Sequence, residues 1–418
     1  MTRPIYVVGG GLVGCMTAYY LQLLGKSVCL LERDRLGAGA SSGNCGYICP
    51  SHIMPMAFPG AVRKTLMTMC RADSPVAITK PFDIGLLRWL IAFAWQCRKN
   101  PMNRASAARH ELLACSKQLY LELMNQEAID CDWRENGLLI VHKEQESFAN
   151  FQITADWLRD TFGLAVEGHP GDAVVELEPT LRRGLAGGWY FPNDAQVMPT
   201  KVVASLRQIL LERGVQIEEG VEVEDLEIRK GRMDALITNR GDRSASAAVI
   251  CTGAEAPNFA RRLGCRIPIQ PGKGYSLTIP TEEALPRIPM IFESHHVGIT
   301  AFKGALRVGS TMEFAGYDRS FNERRLALLM KSAREHLAEP PDARVSERWC
   351  GWRPMVYDGL PCIDHAPAAS NVILAAGNGM IGLASAPATG KVAAAIATGT
   401  HPPIDPNPYT LRRFGWLF

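Results

Sequence analysis

The sequence has little of several features that would place it outside the ordinary globular proteins. Lys and Arg number 45 against 42 Asp and Glu, a net charge of +3. No basic stripe is visible, so a nucleic-acid partner is not expected. The 12 cysteines in 418 residues are too few for a disulfide scaffold, and spacings such as Cys45…Cys49 fit neither a zinc nor an iron–sulfur pattern. We therefore expect reduced thiols, no bound metal and a cytoplasmic location.

The N-terminus lacks the basic segment, apolar segment and cleavage site of a secretion signal. Glycines at a strand-to-helix turn interrupt the apolar run at residues 5–24, which argues against a membrane span. A second apolar segment, Ile84–Cys97, is shorter than the roughly 20 residues that cross a bilayer, and Arg98, Lys99 and Arg104 follow it. It predicts a helix lying against the surface of the inner membrane, or else a buried core helix or a subunit contact.

No sequence repeat and no low-complexity linker interrupts the chain, although its length suits two or three domains. Short apolar strands and helical segments indicate an α/β fold (α+β overall). We predict a Rossmann-like dinucleotide-binding domain with a β-meander, interleaved with a mixed-sheet substrate domain. The first domain would comprise residues 1–95, 196–270 and 348–418, and the second would comprise residues 96–195 and 271–347.

A glycine-rich turn joins the first predicted strand to the first predicted helix. It has the form Gly-x-Gly-x-x-Gly, and an acidic residue ends the next strand, as in dinucleotide-binding folds. The glycines let the backbone approach a pyrophosphate, the helix N-terminus favours its negative charge, and the acidic residue can bind a ribose diol. The motif does not separate NAD from FAD. The candidate residues of this first site are Gly9, Gly11, Leu12, Val13, Gly14, Glu32 and Arg33.

A second glycine motif lies between a predicted strand and a predicted helix near the C-terminus. Too few residues follow it for a second dinucleotide unit. We expect its helix N-terminus to face part of the same cofactor, where it would stabilise negative charge on a reduced flavin ring. A structural strand–helix turn is the alternative. The small-residue turn Thr252-Gly253 is also expected to pack against the cofactor. The residues of the second motif, called the tail turn below, are Gly377, Asn378, Gly379, Met380, Ile381 and Gly382.

Three residues are candidates for substrate contacts. Arg353 stands between Trp352 and Pro354, and its planar guanidinium suits a bidentate carboxylate contact, although a structural ion pair fits equally well. The hydroxyl of Tyr275 could be a second carboxylate contact, with a packed aromatic ring as the alternative. His52 is a candidate polar group near the substrate, or else a loop or core histidine.

Together these residues resemble the flavin-dependent D-amino-acid oxidase superfamily, in particular its bacterial D-amino-acid dehydrogenases. The similarity covers nearly the whole chain. Its most specific parts are the string Lys273–Thr278 and the motif Gly351–Pro354. It also includes the loop after Ser41, the string Pro192–Asp194 and the tail.

The resemblance implies non-covalent FAD and oxidation of the Cα–N bond of a D-amino acid, or of a cyclic D-imino acid such as D-proline or D-hydroxyproline. Hydride would pass to the flavin, an imino acid would hydrolyse to a 2-oxo acid, and the electrons would go to a quinone or another acceptor. Arg353 would hold the substrate carboxylate, with Tyr275 nearby. The tail turn would line the flavin, and the backbone of Val223 would meet the adenine. The loop that would also line the flavin, called the front loop below, contains Ser41, Ser42, Asn44, Cys45 and Gly46.

Two departures from the family pattern affect these assignments. Asn378 stands where the family often has a histidine, and the composition after Ser42 varies, which leaves the role of His52 open. Cys350 stands one place before the position at which related sarcosine-type oxidases attach flavin, which argues against a covalent link.

Three other functions remain open at this point. A flavin hydroxylase would carry Gly-Asp-Ala-Ala-His, but the Gly-Asp pairs Gly171-Asp172 and Gly241-Asp242 stand in turns without that string. A flavoprotein subunit of a hetero-oligomeric dehydrogenase is compatible with the apolar segment 84–97. A glycine- or sarcosine-type amine oxidase would share the same motifs.

Overall fold

The computed structural model describes residues 3–68, 74, 76–80, 82–127, 129–281, 285–341 and 344–415. The helices of these ranges are α1 (Leu12–Leu23), α2 (Ala61–Thr68), α3 (Ile84–Gln96), α4 (Lys99–Gln126), α5 (Gln145–Phe162), α6 (Ala173–Leu177), α7 (Pro199–Glu212), α8 (Ala260–Leu263), α9 (Glu323–His336) and α10 (Gly382–Thr398). Short 3-10 turns cover Gly253–Phe259, Gly379–Ile381, Asn407–Tyr409 and Leu411–Phe414.

The strands form two large sheets, a β-meander and one isolated pair. In chain order they are β1 (Ile5–Val8), β2 (Val28–Glu32), β3 (Tyr47–Ile48), β4 (Val76–Ile78), β5 (Leu138–His142), β6 (Glu167–Pro170), β7 (Gly187–Phe191), β8 (Ala195–Gln196), β9 (Gln216–Glu219), β10 (Val223–Arg229), β11 (Arg232–Thr238), β12 (Arg243–Ser244), β13 (Ala247–Ile250), β14 (Ile269–Pro280), β15 (Met290–Phe292), β16 (Val297–Phe302), β17 (Ala305–Gly309), β18 (Met312–Phe314), β19 (Glu347–Val356), β20 (Cys362–Ala366) and β21 (Ala369–Ala376).

The first sheet has the strand order β20-β21-β13-β1-β2-β9, parallel throughout except for β20. Its central strands are continuous apolar runs because both faces are covered. Ile5 and Val7 of β1 pack with α1, α4, α7 and α10, whereas Tyr6 and Val8 pack toward the meander. This arrangement, with its crossover helix α1, confirms the α/β fold class.

The β-meander consists of β10, β11 and β12 and lies on the side of the first sheet that Tyr6 and Val8 face. The sequence indicated that the turn at 239–242 would join two paired strands, the second at 247–251. That pairing is wrong: the turn leads from β11 into the short strand β12, and β13 instead pairs in parallel with β1. All four residues of β13 are buried, so this strand needs cover on both faces, which the first sheet provides.

The second sheet has ten strands, in the order β4-β18-β14-β17-β16-β15-β5-β7-β6, with β19 also paired to β14. Strands β4 and β19 come from segments that the sequence assigned to the first domain. The rest of the proposed domain division stays a prediction. The long antiparallel pair of β14 and β19 places the string Lys273–Thr278 against the motif Gly351–Pro354.

Helix α10 and the turn before it, Gly379–Thr398, are long and apolar enough to cross a membrane by length and composition alone, but 72% of this window is buried inside the fold. A Cβ at Gly390 would lie 2.7 Å from the backbone nitrogen of Thr17 in α1. The absence of a side chain there allows the two helices to pack closely, so α10 is a core helix packed with α1 against the first sheet.

Candidate functional site

One cavity of about 1680 Å³ connects the glycine turn of the first sheet with the face of the second sheet. Pockets for a single small ligand usually measure about 300–1,000 Å³. The cavity is therefore large enough for an extended cofactor together with a substrate. Most of the residues singled out in the sequence line it, and the exceptions are Gly14, Ser42, Gly46 and Tyr275.

The first glycine turn is built for close backbone contact. A Cβ at Gly9, where φ is +105°, would lie 2.6 Å from the carbonyl oxygen of Cys251, and one at Gly14 would lie 1.9 Å from the carbonyl oxygen of Gly9. Gly14 thus allows the start of α1 to pack against the backbone of Gly9. The residues that line the cavity are Gly9, Gly11, Leu12 and Val13. The start of α1, with its positive dipole end, faces the same space.

At the far end of the turn, Glu32 ends β2 and lines the cavity. Its Oε2 accepts a hydrogen bond from the backbone N–H of Gly10 at 2.6 Å, and its Oε1 accepts one from Asp34 at 2.8 Å. Arg33 beside it forms an ion pair with Glu255 at 3.0 Å, and this contact raises the pKa of the arginine. Val223 at the start of β10 also lines this end, so the meander closes the cavity where an adenosine was expected.

The front loop forms the middle wall through Ser41, Asn44 and Cys45. The Oγ of Ser41 accepts a hydrogen bond from the backbone N–H of Leu12 at 3.1 Å. The buried guanidinium of Arg307, in β17, donates to the carbonyl oxygens of Ser42 and Asn44. Arg307 was not among the sequence candidates, although it fixes the loop from behind.

The tail turn lies across the cavity, and all six of its residues line it. The side-chain amide of Asn378 donates to Ser385 at 2.9 Å and to Thr389 at 2.8 Å. Both acceptors belong to α10, so the Asn378 side chain fixes the turn to the helix. Thr252 and Gly253 also line the cavity, and the hydroxyl of Thr252 is buried and has no hydrogen-bond partner among the described residues.

Arg353 in β19 lines the cavity with its guanidinium group. Its Nη1 donates to the carbonyl oxygen of Thr311 at 2.8 Å, and its Nη2 lies 3.5 Å from the hydroxyl of Ser310. Among the described residues no carboxylate forms an ion pair with it. Burial lowers the pKa of Arg353. A half-buried guanidinium of this kind favours an anionic ligand.

Tyr275 does not reach the cavity. Its ring is fully buried in the second sheet, and its hydroxyl donates to Oε2 of Glu313 at 2.5 Å. Glu313, whose Oε1 lies 3.3 Å from the amide of Asn322, is itself buried. The expectation that Tyr275 contacts the substrate carboxylate is therefore not met by this geometry: neighbouring residues of β14 point to opposite faces, and Tyr275 faces the core.

His52 lines the cavity, and burial, together with the neighbouring charge of Arg109, lowers its pKa to about 4. Its ring is thus neutral near pH 7. Arg109 of α4 also lines the cavity, and it donates to the carbonyl oxygens of His52 at 2.7 Å and Gly359 at 3.1 Å. The sequence reasoning missed Arg109. Its spacing with the apolar residues Leu112 and Leu113 places it on the buried face of α4, which is the signal that could have identified it.

Comparisons with known proteins agree with this geometry. The family model described as FAD dependent oxidoreductase (DAO) matches residues 5–396. The chain is 30% identical over 418 residues to a D-amino acid dehydrogenase of Granulibacter bethesdensis, covering 98% of this chain and 99% of that protein. It is 31% identical over 410 residues to D-amino acid dehydrogenase 2 of Mesorhizobium japonicum, covering 96% and 98%.

Solved structures show the same fold at lower identity. Glycine oxidase from Geobacillus kaustophilus superposes with a TM-score of 0.79 at 23% identity, covering 99% of both chains. L-proline dehydrogenase from P. horikoshii superposes with a TM-score of 0.73 at 19% identity, covering 99% of this chain and 98% of that one. The fold thus extends over the whole length of the chain.

Proposed function

Because the chain belongs to the family of FAD-dependent oxidoreductases, we propose that it oxidises the Cα–N bond of a D-amino acid, or of a cyclic D-imino acid such as D-proline or D-hydroxyproline. The observation that carries this proposal is Arg353. A half-buried guanidinium at the cavity wall, with no carboxylate partner among the described residues, suits the carboxylate of an amino acid. The names of the relatives from Granulibacter and Mesorhizobium support the D configuration.

The residues present fit FAD, which is the cofactor of the family. The glycine turn, whose close packing a Cβ at Gly9 or Gly14 would prevent, brings the N-terminus of α1 to the cavity wall. The hydroxyl of Thr252, which has no partner among the described residues, offers a polar contact there. Glu32 and Val223 would hold the adenosine end, and the front loop and tail turn would hold the flavin end. Bound FAD supplies the two-electron acceptor for amine oxidation.

The protein side of the reaction is to bind and orient the amino acid and to favour the neutral form of its amine. Arg353 binds the carboxylate and thereby fixes the position of Cα. The amine must be neutral when it is oxidised, and the surroundings of His52, which lower its pKa to about 4, disfavour positive charge in that part of the cavity. The same environment therefore favours the neutral form of a bound amine.

We further propose that the electrons pass to a quinone or a similar acceptor and that the protein works in the cytoplasm, peripherally attached to the inner membrane. The word dehydrogenase in the names of the relatives supports an acceptor other than oxygen. A lipid-soluble acceptor would be available to an enzyme held at the bilayer surface.

The experiment that tests the proposal is a substrate screen of the purified yellow protein with a dye acceptor. D-alanine, D-proline, cis-4-hydroxy-D-proline, sarcosine and glycine should be compared with the L-enantiomers of the chiral substrates. We expect turnover of at least one D-substrate and none of its L-enantiomer. Turnover of only glycine and sarcosine would replace the proposal with the amine oxidase alternative. Activity that appears only with added partner subunits would replace it with the hetero-oligomeric one.

A further inference from the structure

Helix α3 is apolar on two opposite faces. Its inner face packs through Leu86, Trp89 and Ala92, and the indole N–H of Trp89 lies within hydrogen-bonding distance of the carbonyl oxygens of Pro268 (3.2 Å) and Met355 (3.1 Å). This face matches the buried core helix, which is one of the alternatives that the sequence left open. The outer face is solvent-exposed, and its large residues recur at helical spacing. They are Ile84, Leu87, Ile91 and Trp95.

Helix α2 and the residue before α3 extend this outer face. Leu66 and Met67 of α2 are exposed, and Phe82 is 95% exposed. A small hollow formed by residues of α2 and by Ala94 and Cys97 shows that the two helices lie side by side. We call the seven residues Leu66, Met67, Phe82, Ile84, Leu87, Ile91 and Trp95 the α2–α3 surface. Of the 14 exposed large hydrophobic residues in the described ranges, these seven fall within 30 residues of sequence, so the surface is a patch rather than scattered exposure.

The charges around the α2–α3 surface are mostly basic, and the exposed N-cap residue of α3, Asp83, is the acidic residue that lies beside it. Arg88 lies on the same helical stripe as Ile84 and Ile91, and the sequence from residue 84 to residue 110 contains no Asp or Glu. The guanidinium of Arg98 stacks 4.0 Å above the ring of Trp95. Arg63, Lys99 and Arg104 are also exposed. Tryptophan with basic residues is typical of the interface between a bilayer and water, and basic residues are attracted to the anionic headgroups of a membrane.

The α2–α3 surface adjoins the cavity. Met67 belongs both to the hollow beside α3 and to the cavity wall, and Lys64, one turn earlier in α2, also lines the cavity. The Nζ of Lys64 contacts Oε1 of Glu293 at 2.8 Å, which ties α2 to the segment after β15. Helix α2 therefore stands between the exposed apolar patch and the interior of the cavity.

We propose that the α2–α3 surface binds the face of an anionic phospholipid bilayer and that a lipid-soluble acceptor enters the cavity past α2. The 13 residues of α3 span about 20 Å, which is too short to cross the hydrocarbon core, so the helix lies in the plane of the interface. The membrane contact is inferred only from the exposed residues and charges of the α2–α3 surface. The acceptor route rests on the proposed function.

Vesicle flotation tests the membrane contact without any catalysis. The holoenzyme should float with vesicles of phosphatidylethanolamine and phosphatidylglycerol and should float less with phosphatidylcholine alone or in high salt. The vesicle affinity of the triple variant Ile84→Ser/Leu87→Ser/Ile91→Ser should be at least tenfold lower than that of the parent. The control variant Ile153→Ser, which changes a 74% exposed residue on α5, should bind as the parent does. Equal flotation of the triple variant and the parent would overturn the proposal.

A matched pair of double variants tests how much the basic residues contribute to membrane binding. Arg88→Gln/Lys99→Gln should weaken binding to the phosphatidylglycerol vesicles severalfold, whereas Lys26→Gln/Arg232→Gln, at exposed basic residues elsewhere, should not. Light scattering tests whether the α2–α3 surface instead binds a second copy of the chain. A dimer that the triple variant dissociates, together with no flotation of the parent, would overturn the membrane contact in favour of self-association.

Kinetics separate the acceptor route from the proposed function. With a water-soluble dye the triple variant should keep the turnover of the parent, whereas reduction of a quinone carried in the vesicles should fall along with flotation. Loss of flotation with unchanged quinone reduction would overturn the acceptor route. Absence of dye-linked turnover in the parent would reject the proposed function and leave the flotation result standing.

Discussion

Gly274 of β14 lies directly against the guanidinium of Arg353 in β19: a Cβ on this glycine would be 2.2 Å from Nη1 of the arginine. Strands β14 and β19 are paired in antiparallel register, with Gly272 opposite Arg353. The φ angle of Gly274 is not in the left-handed region, so the glycine is required for space and not for backbone conformation. The neighbouring strand thus provides the room in which the arginine lies.

The first prediction is that Gly274→Ala displaces the guanidinium of Arg353. Because the atoms that clash are at the end of a flexible side chain, the fold should tolerate the change. We expect KM for the amino acid to rise and kcat/KM to fall by about tenfold or more, equivalent to about 1.4 kcal/mol of binding. Steady-state kinetics with a dye acceptor measure this.

A double-mutant cycle provides the control for this change. In an Arg353→Ala background, Gly274→Ala should have little further effect, since the displaced group is already absent. If the losses of kcat/KM were additive in the double variant, Gly274 would act independently of Arg353. That result would contradict the prediction that Gly274 provides the space for the guanidinium.

The second prediction concerns Arg353 itself. Arg353→Ala should lower kcat/KM by at least about 30-fold, since removing one partner of a buried charge pair costs roughly 2 kcal/mol or more. Arg353→Lys keeps the positive charge but loses the planar guanidinium, so its kcat/KM should lie between that of the parent and that of Arg353→Ala. The purified variants should remain yellow, because the residue is not predicted to hold FAD. Turnover with unchanged KM in Arg353→Ala would reject the assigned role.

The sequence sufficed for those parts of the fold in which local pattern and tertiary position agree. The glycine turn, β1, α1 and β2 follow from an apolar strand, an obligatory close approach at Gly9 and Gly14, and helical spacing after Leu12. The tail turn and α10 followed from the same logic. These segments carry their own steric requirements, so one sequence is enough to recognise them.

The rest depends on contacts between distant segments. The apolar pattern predicts a long helix that begins near Arg104, whereas α4 begins at Lys99, and the pattern does not predict α5. Arg109 and Arg307 could not be assigned because their partners are backbone carbonyls in loops far away in the chain. Tyr275 follows Gly274, which lies against Arg353, but the alternation of β14 turns the tyrosine side chain to the other face of the sheet. Which face of a strand meets the cavity is set by the sheet, not by the local string.

The third prediction tests the position of Tyr275. Tyr275→Phe removes the hydroxyl that donates to the buried carboxylate of Glu313. We expect a loss of stability of about 1–3 kcal/mol, because a buried acceptor loses its donor, and an unchanged KM. Urea unfolding and dye-linked kinetics measure the two effects. A raised KM with unchanged stability would instead support the substrate contact expected from the sequence.

The fourth prediction concerns Asp194, which is buried beneath the cavity wall. Its Oδ2 accepts a hydrogen bond from the hydroxyl of Ser51 at 2.5 Å, and its Oδ1 accepts one from the backbone N–H of Ser51 at 3.2 Å. Burial raises the pKa of Asp194 to about 7 even though these hydrogen bonds oppose the shift. The carboxyl is then protonated in the folded protein at pH values where it is ionised in the unfolded chain.

The sign of the effect on stability follows from this difference. Between about pH 4, the ordinary pKa of an aspartate, and about pH 7, the folded state binds the proton and the unfolded state does not. The contribution of Asp194 to the free energy of unfolding therefore falls as the pH rises, by up to about 1.4 kcal/mol for each pH unit. Asp194→Asn keeps the shape and removes the titration, so the variant should gain stability relative to the parent between pH 5 and pH 8.

Urea unfolding of the parent and of Asp194→Asn at pH 5 and pH 8 measures this change. The rings of His52 and His142, whose pKa values are lowered to about 4, act in the opposite direction, because their neutral folded forms lose stability as the pH falls below 6.5. They are present in both proteins, and the difference between the two stabilities removes most of their contribution. A difference that is the same at both pH values would show that the carboxyl is already ionised at pH 5, and that the hydrogen bonds from Ser51 stabilise its charge against burial.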